Sequence, residues 1–476
     1  MEKALHELSV SETGASLRSG RTTAVALAEH ALHRIARLEP VIHSFIRVTA
    51  DRALRDAERA DRELASGMDR GPMHGIPYGL KDIFDTDGIP TTCNSKLFLH
   101  RVPVGDAAIE TKLKAAGAVL LGKLNTHEFA LGGPSFDLPF EPARNPWNPD
   151  HFTGGSSSGS GAAVGAGLMR IAFGTDTGGS IRSPACHCGV VGVKPTYGLV
   201  SRRGAYPLSY SLDHCGTLAW TVAEAAIALN TIAGFDPLDP SSVDVPIPDF
   251  TEQIGQDIHG LRIGYARGLF AGMSGVSSEV VSSVDHAAEV LTQLGAAVDE
   301  IELPDFDLFK ACGRLIMIAE AYAIHEENLK TRPLDYGRYT YERMIPGASL
   351  SAADLTQAFR LRRELTRIVT KEALAHHDAL LTATGLAPAA RLDEFPPGWP
   401  PPARAVAVQT VPFNVTGTPV LALPSGFSES GLPLGIQIAG RPFDESTLFR
   451  IGAAFEGAAG VREKRPALWD TVEPVR

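Results

Sequence analysis

The sequence predicts an α/β fold, organised as one large domain with a helical insertion, and three observations support that class. Short apolar runs typical of buried strands alternate with helical patterns, as in 107–116 followed by 118–122. Glycine-rich turns separate the elements of the middle segment, 154–194. Residues 306–376 carry mainly helical patterns, which predicts a cap-like insertion.

The first 70 residues predict a helical segment packed on the core, and 71–470 predict the main domain. Apolar residues recur at helical spacing in one stretch, Ala24, Leu27, Ala31, Ile35 and Leu38. Thr22 or Thr23 is the predicted N-cap of that helix, and Pro40 is its predicted end. The charged, alanine-rich stretch 50–65 predicts a surface helix.

The rest of the chain continues the alternation of strands and helices. Helices are predicted at 107–116, 160–169, 222–233 and 278–294, and strands at 118–122, 190–193, 262–266, 298–303, 421–423 and 434–438. The last two strands are expected to pair through the turn at 428–431. The proline-rich stretch 395–401 predicts a rigid loop.

Composition narrows the function classes. The 476 residues carry a net charge of −11, which disfavours nucleic acid and anionic membrane as partners because both are polyanions. The N-terminal residues Met1–Glu7 contain acids and no apolar run, so we expect no secretory signal and a cytoplasmic location. Five scattered cysteines do not form a disulfide framework.

Two serine-bearing glycine turns and one lysine carry the chemistry. Ser156 and Ser180 lie 24 residues apart, each in a glycine-rich turn, and Lys81 lies upstream in an apolar setting. Serine supplies a nucleophile, and a lysine becomes a base when burial removes its proton. The same lysine has a structural interpretation, a salt bridge to its neighbour Asp82.

Other interpretations of the glycine turns remain open at this point. Gly155–Gly159 also fits G-x-S-x-G centred on Ser157, but no histidine downstream is singled out as a triad partner. Gly159, Gly161 and Gly165 resemble a dinucleotide loop without the preceding apolar strand. A non-catalytic or nucleotide-binding α/β module is therefore one rival class.

We expect no metal and no cofactor. The stretch Cys186-His187-Cys188 has poor zinc spacing and no second ligand cluster, so packed structural thiols are the favoured interpretation. His127 and His151 are expected to be structural rather than catalytic.

Long, ordered motifs resemble those of the amidase signature family over about residues 5–460. The resemblance rests on five segments, Gly75-Ile76-Pro77 through Lys81-Asp82, Gly154-Gly155-Ser156-Ser157, Gly178-Gly179-Ser180-Ile181-Arg182, Gly192-Val193-Lys194-Pro195-Thr196 and Gly431-Leu432-Pro433-Leu434-Gly435-Ile436-Gln437. The fold it implies is an α/β/α sandwich with a large mixed, mostly parallel, twisted sheet surrounded by helices.

The resemblance also implies a catalytic triad of two serines and a lysine. Ser180 would be the nucleophile, Ser156 the bridging serine in a cis peptide, and Lys81 the base. A neutral lysine near pH 7 requires a pKa lowered by about 3 units. The implied oxyanion hole consists of the N–H groups of Thr177, Gly178, Gly179 and Ser180. The implied supporting residues are Ser157, Asp176 and Arg182.

Within the family, the chain resembles the glutamine-hydrolysing component of a tRNA-dependent amidotransferase. That resemblance rests on Thr196-Tyr197-Gly198, Ser211-Leu212-Asp213 and Asp244-Val245-Pro246, and Arg343 would correspond to its amide-recognition arginine. One departure is Ala407, which stands before Thr410-Val411-Pro412-Phe413-Asn414 where that component has an acid.

The predicted substrate pocket is apolar. Its expected walls are Gly132, Gly133, Phe136, Tyr206, Leu208 and Tyr210, with Leu138 and Phe140 nearby and Trp399 at the mouth. An apolar pocket favours aryl or aliphatic amides, and extends to carbamates (urethanes), anilides and esters. We therefore expect a stand-alone serine amidohydrolase of small molecules, monomeric or homodimeric. The alternative is the glutamine-hydrolysing component of the amidotransferase, which would need a partner chain.

Overall fold

A computed structural model describes residues 3–401 and 409–470, and eleven strands in that part of the chain form one sheet. The strands are β1 Phe45–Val48, β2 Pro77–Lys81, β3 Val119–Leu124, β4 Ile171–Asp176, β5 Val191–Lys194, β6 His214–Ala219, β7 Arg262–Tyr265, β8 Ala297–Glu300, β9 Ala379–Ala383, β10 Val420–Phe427 and β11 Pro433–Gly440. Ala407 lies outside the described residues.

Helices pack against this sheet and against one another. The α-helices are α1 Val10–Arg18, α2 Ala24–Ile42, α3 Ala50–Ala65, α4 Ala108–Ala115, α5 Ser158–Gly165, α6 Arg182–Cys188, α7 Val222–Ile232, α8 Ser278–Gln293, α9 Phe306–Thr331, α10 Arg338–Met344, α11 Ala352–Arg367, α12 Leu374–His376, α13 Val411–Thr416 and α14 Glu445–Ala459. A π-helix spans Ile368–Ala373. Short 3-10 helices span Leu5–Glu7, Lys96–Phe98, Glu128–Ala130, Arg267–Leu269, Pro333–Asp335, Ile345–Ser349, Leu392–Glu394, Val461–Glu463 and Ala467–Trp469.

The sheet is mixed, which confirms the predicted α/β class, but it is not mostly parallel. Its order is β1-β3-β2-β4-β6-β5-β10-β11-β9-β7-β8, and six of the ten neighbouring pairs described here are antiparallel. Parallel pairing needs a crossover, usually a helix, between the strands. The central pairs lack one, because a helix-free loop leads into β6 and a tight turn joins β10 to β11.

Local patterns predicted the helices and the isolated apolar strands well. The predictions at 107–116, 222–233 and 278–294 correspond to α4, α7 and α8, and the two predicted C-terminal strands pair as expected. The prediction did not identify β2, β4 and β6 as strands. Each of them ends or begins with polar residues, so its period-2 or apolar signal is short.

Pro40 does not end α2, contrary to the prediction. Thr23 caps the helix, since its hydroxyl accepts from the N–H of Ala26 at 3.0 Å. The helix continues to Ile42 and ends at His43, which adopts a left-handed conformation with φ 47°. Proline removes only its own N–H donor, and a helix that is about to end tolerates that loss in its last turn.

The N-terminal helices pack beside the sheet, and a second group of helices lies over the site. α3 packs on β3, and α9 packs on α11 and α13. The boundaries at residue 70 and at 306–376 as domain limits stay a prediction. In the described part of the chain, no helix combines the length and apolar character that a membrane crossing requires.

The topology brings the functional residues to one edge of the sheet. β2 and β4 are parallel neighbours, with Leu80 opposite Phe173, so their carboxyl ends meet. Lys81 ends β2 and Asp176 ends β4. A separate hydrophobic cluster, which includes Phe129, Leu208 and residues of α9, covers this edge. The site therefore lies between the sheet and the helical insertion.

Candidate active site

Lys81 is a fully buried lysine that contacts hydroxyl groups. Its Nζ donates to Ser156 Oγ at 2.7 Å and to Thr175 Oγ1 at 2.9 Å, and its side chain is 0% exposed. Burial lowers the pKa of Lys81 to about 7, although the buried carboxyls Asp213 and Asp176 oppose that shift. A substantial fraction of Lys81 is therefore neutral at pH 7.

Ser156 lies in a turn whose shape depends on glycine. The Gly155–Ser156 peptide is cis, and the N–H of His127 donates to the Ser156 carbonyl at 3.1 Å. A Cβ on Gly155 would lie 2.0 Å from the His127 ring, so no other residue fits there. His127 itself stacks on Phe152, and burial lowers its pKa to about 3.

Ser180 lies across a small cavity from this turn. We call it the catalytic cavity: about 120 Å³, with Ser156, Ser180, Gly132, Gly133, Leu208 and Arg343 among its lining residues. Ser180 is partly exposed, and within residues 3–401 and 409–470 its hydroxyl has no hydrogen-bond partner. The structure therefore brings Lys81, Ser156 and Ser180 together, with the Ser180 hydroxyl free to rotate.

The loop around Ser180 presents three unpaired N–H groups, one fewer than predicted. The N–H of Gly179 donates to Asp176 Oδ1 at 2.8 Å, so the prediction that it faces an oxyanion is wrong. The N–H groups of Thr177, Gly178 and Ser180 have no acceptor in the described part of the chain. Gly179 has φ +130°, and a Cβ there would lie 2.1 Å from the Thr410 hydroxyl.

Asp176 holds this loop from beneath. Its carboxylate accepts from the backbone N–H groups of Gly179, Ile181 and Arg182 and from the Arg182 side chain at 2.9 Å. Burial alone would raise the pKa of Asp176, but the Arg182 guanidinium and the Asn414 amide hold it well below its usual range.

Arg182 ties the loop to two distant elements. Besides Asp176, it donates to the Thr410 carbonyl at 2.8 Å, to Asn414 Oδ1 at 2.6 Å and to Gln437 Oε1 at 2.9 Å. Arg182 is 0% exposed. A buried guanidinium with this many acceptors fixes its neighbours rigidly, because losing any one acceptor leaves a donor unsatisfied.

Ser157 links the two serine turns and does not act as the nucleophile of an elbow. Its hydroxyl donates to the Thr175 carbonyl at 3.1 Å, and its N–H donates to the Ser180 carbonyl at 3.1 Å. The alternative α/β-hydrolase interpretation requires that hydroxyl to be exposed toward substrate. Here the Ser157 side chain is 0% exposed.

Sequence reasoning missed two threonines at the site. Thr175 is the second partner of Lys81, and Thr177 donates to Asp213 Oδ1 at 2.5 Å. Asp213 also accepts from the N–H groups of Leu208 and Ser209, and burial raises its pKa. The only local signal was their position beside Asp176, at the end of an apolar run.

The predicted substrate walls divide between two cavities. Gly132, Gly133 and Leu208 line the catalytic cavity. Tyr206 and Tyr210, together with Leu208, line an adjoining cavity of about 290 Å³. The prediction that Phe136 lines the catalytic cavity is wrong, because Phe136 is 55% exposed and lies outside its walls. Phe136 lies on a surface loop, where a large side chain gives no reliable indication of burial.

The more distant walls also lie elsewhere. Leu138 lines a separate small cavity beside Asn125, and neither Phe140 nor Trp399 lines the catalytic cavity. Trp399 instead stacks under Arg343, with the guanidinium 4.6 Å from the ring centroid. It therefore supports the wall from behind.

Among the residues that the structure describes, Arg343 is the one cation that lines the catalytic cavity. It donates to the Gly132 carbonyl at 3.0 Å, and burial lowers its pKa to about 10. Over the same two ranges, 3–401 and 409–470, no carboxylate pairs with Arg343. Part of its hydrogen-bonding capacity is thus left for an oxygen-rich ligand.

No cluster of three or more potential metal ligands occurs among the described residues. Cys186, His187 and Cys188 all lie buried in α6, and burial raises the pKa of Cys186 to about 12 and lowers that of His187 to about 4. The site chemistry described here therefore rests on serine, threonine, lysine and backbone groups.

Comparisons with known proteins match almost the whole chain. A family model described as Amidase matches residues 26–449. The glutamyl-tRNA(Gln) amidotransferase of Chloroflexus aurantiacus has an "A" subunit that is 40% identical over 98% of this chain and 99% of its own length.

Solved structures agree with that match. A protein from a vestigial complex that bears on the origins of an s-triazine catabolic enzyme superposes with TM-score 0.88 at 35% identity, covering 94% of this chain and 98% of the other. A bacterial aryl acylamidase superposes with TM-score 0.86 at 26% identity, covering 97% and 99%. These proteins share the fold and the chain length.

Proposed function

The chain belongs to the amidase family, and on that premise we propose that it hydrolyses amide carbon–nitrogen bonds through an acyl-enzyme on Ser180. One observation carries the proposal: the 2.7 Å hydrogen bond from buried Lys81 to Ser156, on the wall of the cavity that Ser180 also lines. A lysine with a pKa of about 7 is matched to proton transfer at neutral pH.

Acylation begins when neutral Lys81 accepts a proton from the Ser156 hydroxyl. Ser156 in turn takes the proton of Ser180, whose oxygen attacks the substrate carbonyl carbon. The carbonyl oxygen gains negative charge, and the N–H groups of Thr177, Gly178 and Ser180 are available to stabilise it. Removing one such donor typically costs about 10²–10³ in rate.

The proton then returns along the same route. When the C–N bond breaks, the leaving nitrogen takes a proton from Ser156, which Lys81 reprotonates. Water next attacks the ester on Ser180 and gives a proton to Lys81 through Ser156. That proton restores the Ser180 hydroxyl as the acid leaves, so Lys81 ends neutral and atoms balance.

Neutral aryl or aliphatic amides are the first proposed substrate class, with anilides, carbamates and esters as extensions. The adjoining cavity with Tyr206, Leu208 and Tyr210 supports an apolar group on the substrate. Esters and carbamates present the same carbonyl to Ser180, so the acyl-enzyme chemistry extends to them. This candidate functions as a monomer or homodimer.

Glutamine hydrolysis within an amidotransferase is the second candidate function. The names of the amidotransferase relatives favour it, and so does Arg343, a cation without a carboxylate partner in the described part of the chain. In this case the leaving group is ammonia and the chain acts with partner subunits. The sequence departure at Ala407 disfavours it, because an acid at that point would serve the α-amino group.

Chemical labelling and a substrate panel test both candidates. A sulfonyl fluoride should label Ser180, and the adduct is mapped by mass spectrometry of the digested protein. Absence of the label, with no turnover of any amide, would reject the proposed function. Glutamine, p-nitroacetanilide, an aryl carbamate and a fatty amide then separate the two substrate classes. Rapid glutamine turnover only with a partner chain would favour the second candidate.

A further inference from the structure

A second cavity adjoins the catalytic cavity and has its own opening. We call it the side chamber: about 290 Å³, with Thr175, Thr177, Tyr206, Leu208, Tyr210 and Leu238 among its walls. Ala130, Thr177 and Leu208 line both cavities, so the two spaces meet at these residues. The outer end is open, since Leu238 is 71% exposed and Tyr210 is 56% exposed.

The inner end of the side chamber reaches the proton-transfer side of the site. Thr175 forms part of its wall, and the Thr175 hydroxyl lies 2.9 Å from Lys81 Nζ. The leaving nitrogen must face the groups that return its proton, Ser156 and Lys81. A substrate whose carbonyl faces Ser180 would therefore direct its amine portion toward this end of the catalytic cavity.

The charged groups in the chamber wall already have protein partners. Arg202 donates to the Tyr210 carbonyl and to Ser241, and Arg203 donates to Asp236 at 2.9 Å. Asp213 accepts three hydrogen bonds from the protein. A charged ligand would have to break these contacts, so the chamber suits a neutral group.

Aromatic and aliphatic surfaces make up the rest of the wall. Tyr206 packs between two rings, with its centroid 5.1 Å from that of Phe98 and 5.2 Å from that of Phe129. Leu208 is buried and faces both cavities. A volume near 290 Å³ lies at the lower end of small-molecule pockets, roughly 300–1,000 Å³. It fits one substituted ring better than a long chain.

From this placement we propose that the side chamber binds the amine portion of the substrate, and that this portion is a neutral aromatic amine. The inference rests on the proposed amide-hydrolase function and narrows its substrate class to anilides and similar arylamides. Tyr206 and Leu208 would pack on the ring while the carbonyl faces Ser180.

The test compares two substrates that share an acetyl group and differ only in the amine, p-nitroacetanilide and acetamide. The readout is the ratio of their kcat/KM values. Ala205→Phe adds a ring to the chamber wall, and Tyr206→Ala removes one. We expect the ratio to fall about tenfold or more in Ala205→Phe and several-fold in Tyr206→Ala.

Phe136→Ala is the matched control, because it removes an exposed aromatic ring outside both cavities. Its ratio should stay within about twofold of the wild-type value. Retained acetamide turnover and a thermal unfolding midpoint near that of the wild type show that each variant has folded. A second series of anilides with acetyl, butyryl or benzoyl groups tests the acyl side.

The outcomes are distinct. An unchanged amine ratio, with altered preference in the acyl series, would place the acyl group in the chamber and overturn the proposal. Turnover of glutamine or acetamide without any anilide would overturn it while the hydrolase function stands. No turnover together with no sulfonyl label on Ser180 would reject the proposed function, and this proposal with it.

Discussion

Two buried lysines on neighbouring strands, Lys81 and Lys123, show how different partners give different roles to the same side chain. Both are 0% exposed, and Lys123 pairs opposite Leu80 in the sheet. Lys123 donates to the Phe84 carbonyl and Thr91, and lies 3.4 Å from the Asp82 carboxylate. Lys81 donates to two hydroxyls, so it has proton-transfer partners in place of a counter-ion.

That difference decides which lysine is able to act as a base. Burial lowers the pKa of both groups, but of the two only Lys123 has a carboxylate against its ammonium. Asp82 was the expected structural partner of Lys81, and the structure assigns it to Lys123 instead. A buried lysine is thus a candidate base when its contacts are hydroxyl groups that lead to a nucleophile.

The largest expected effect is the loss of activity in Lys81→Met. Removing the base should lower kcat/KM for the best amide substrate by about 10⁴-fold, because triad members act as a unit. The free energy of unfolding should stay within about 1 kcal/mol of wild type, since relief of lysine desolvation offsets two lost hydrogen bonds. Kinetics and urea denaturation measure the two quantities.

A near-normal kcat/KM in Lys81→Met would reject the proton route. Ser156→Ala should show a similar loss, since it removes the residue between Lys81 and Ser180. Unfolding at room temperature in either variant would make these contacts structural rather than catalytic.

The next largest effect is a loss of stability in Lys123→Met. The substitution leaves the Asp82 carboxylate buried without its cation, which should lower the free energy of unfolding by about 3–5 kcal/mol. The kcat/KM of the folded protein, measured well below its unfolding temperature, should remain within about threefold of wild type. Urea denaturation and steady-state kinetics test both halves.

Asp82→Asn added to Lys123→Met is the control for that assignment. The amide carries no charge and still accepts from Thr92, so part of the lost stability should return. If the double variant is no more stable than Lys123→Met, the ion pair is not the source of the loss.

The sequence predicted the reacting groups better than the framework that holds them. Lys81, Ser156 and Ser180 lie in glycine-rich motifs whose local composition identifies them. Asn414 supports Asp176 from 238 residues away, and no local pattern links the two. Such pairs are created by the fold, so a single sequence carries no signal for them.

The sheet shows the same limit. Individual strands such as β3 and β5 were predicted from apolar runs, but their direction depends on the connections between them. The stretch 195–213 leads into β6 without an α-helix and places that strand antiparallel between β4 and β5. Loop residues such as Phe136 were the least predictable, because exposure of a surface ring is common.

The pH dependence sharpens the comparison further. Lys81 must be neutral to accept a proton, and its pKa is about 7, so kcat/KM should rise with pH and level off above 7. Below that value each pH unit costs about tenfold, so the rate constant at pH 5 should be about 1% of the plateau. A pH series of kcat/KM measures it.

Folding stability should change with pH in the same direction for this group. The pKa of Lys81 is lower in the folded protein than in the unfolded chain, so the unfolded chain binds more protons between about pH 7 and 10. The contribution of Lys81 to stability therefore rises with pH across that window. A rate that is flat from pH 5 to 8 would contradict the assignment of Lys81 as base.

The smallest expected effect concerns two buried carboxyls with matched contacts, Glu128 and Glu39. Each accepts from a serine hydroxyl and a backbone N–H: Ser95 and Gly337 for Glu128, Ser44 and Phe45 for Glu39. Burial raises the pKa of both to about 7. They differ in place, because Glu128 lies next to the catalytic-cavity wall.

Glu128 reaches that wall through the helical insertion. Gly337 precedes α10, and Arg343 on α10 donates to the Gly132 carbonyl at 3.0 Å. Glu128→Ala and Glu39→Ala should each lower the free energy of unfolding by about 2 kcal/mol, because two buried donors lose their acceptor. Only Glu128→Ala should raise KM, by about tenfold, since it releases the wall that contacts substrate.

Glu128→Gln separates position from charge. Its amide oxygen still accepts from Gly337 and its amide nitrogen donates to Ser95, so KM should recover to within about twofold of wild type. The rise of kcat/KM near pH 7 should persist in Glu128→Gln if Lys81 causes it. Disappearance of that rise would transfer the titration to Glu128, and an equal KM increase in Glu39→Ala would show that general destabilisation, not the cavity wall, changes substrate binding.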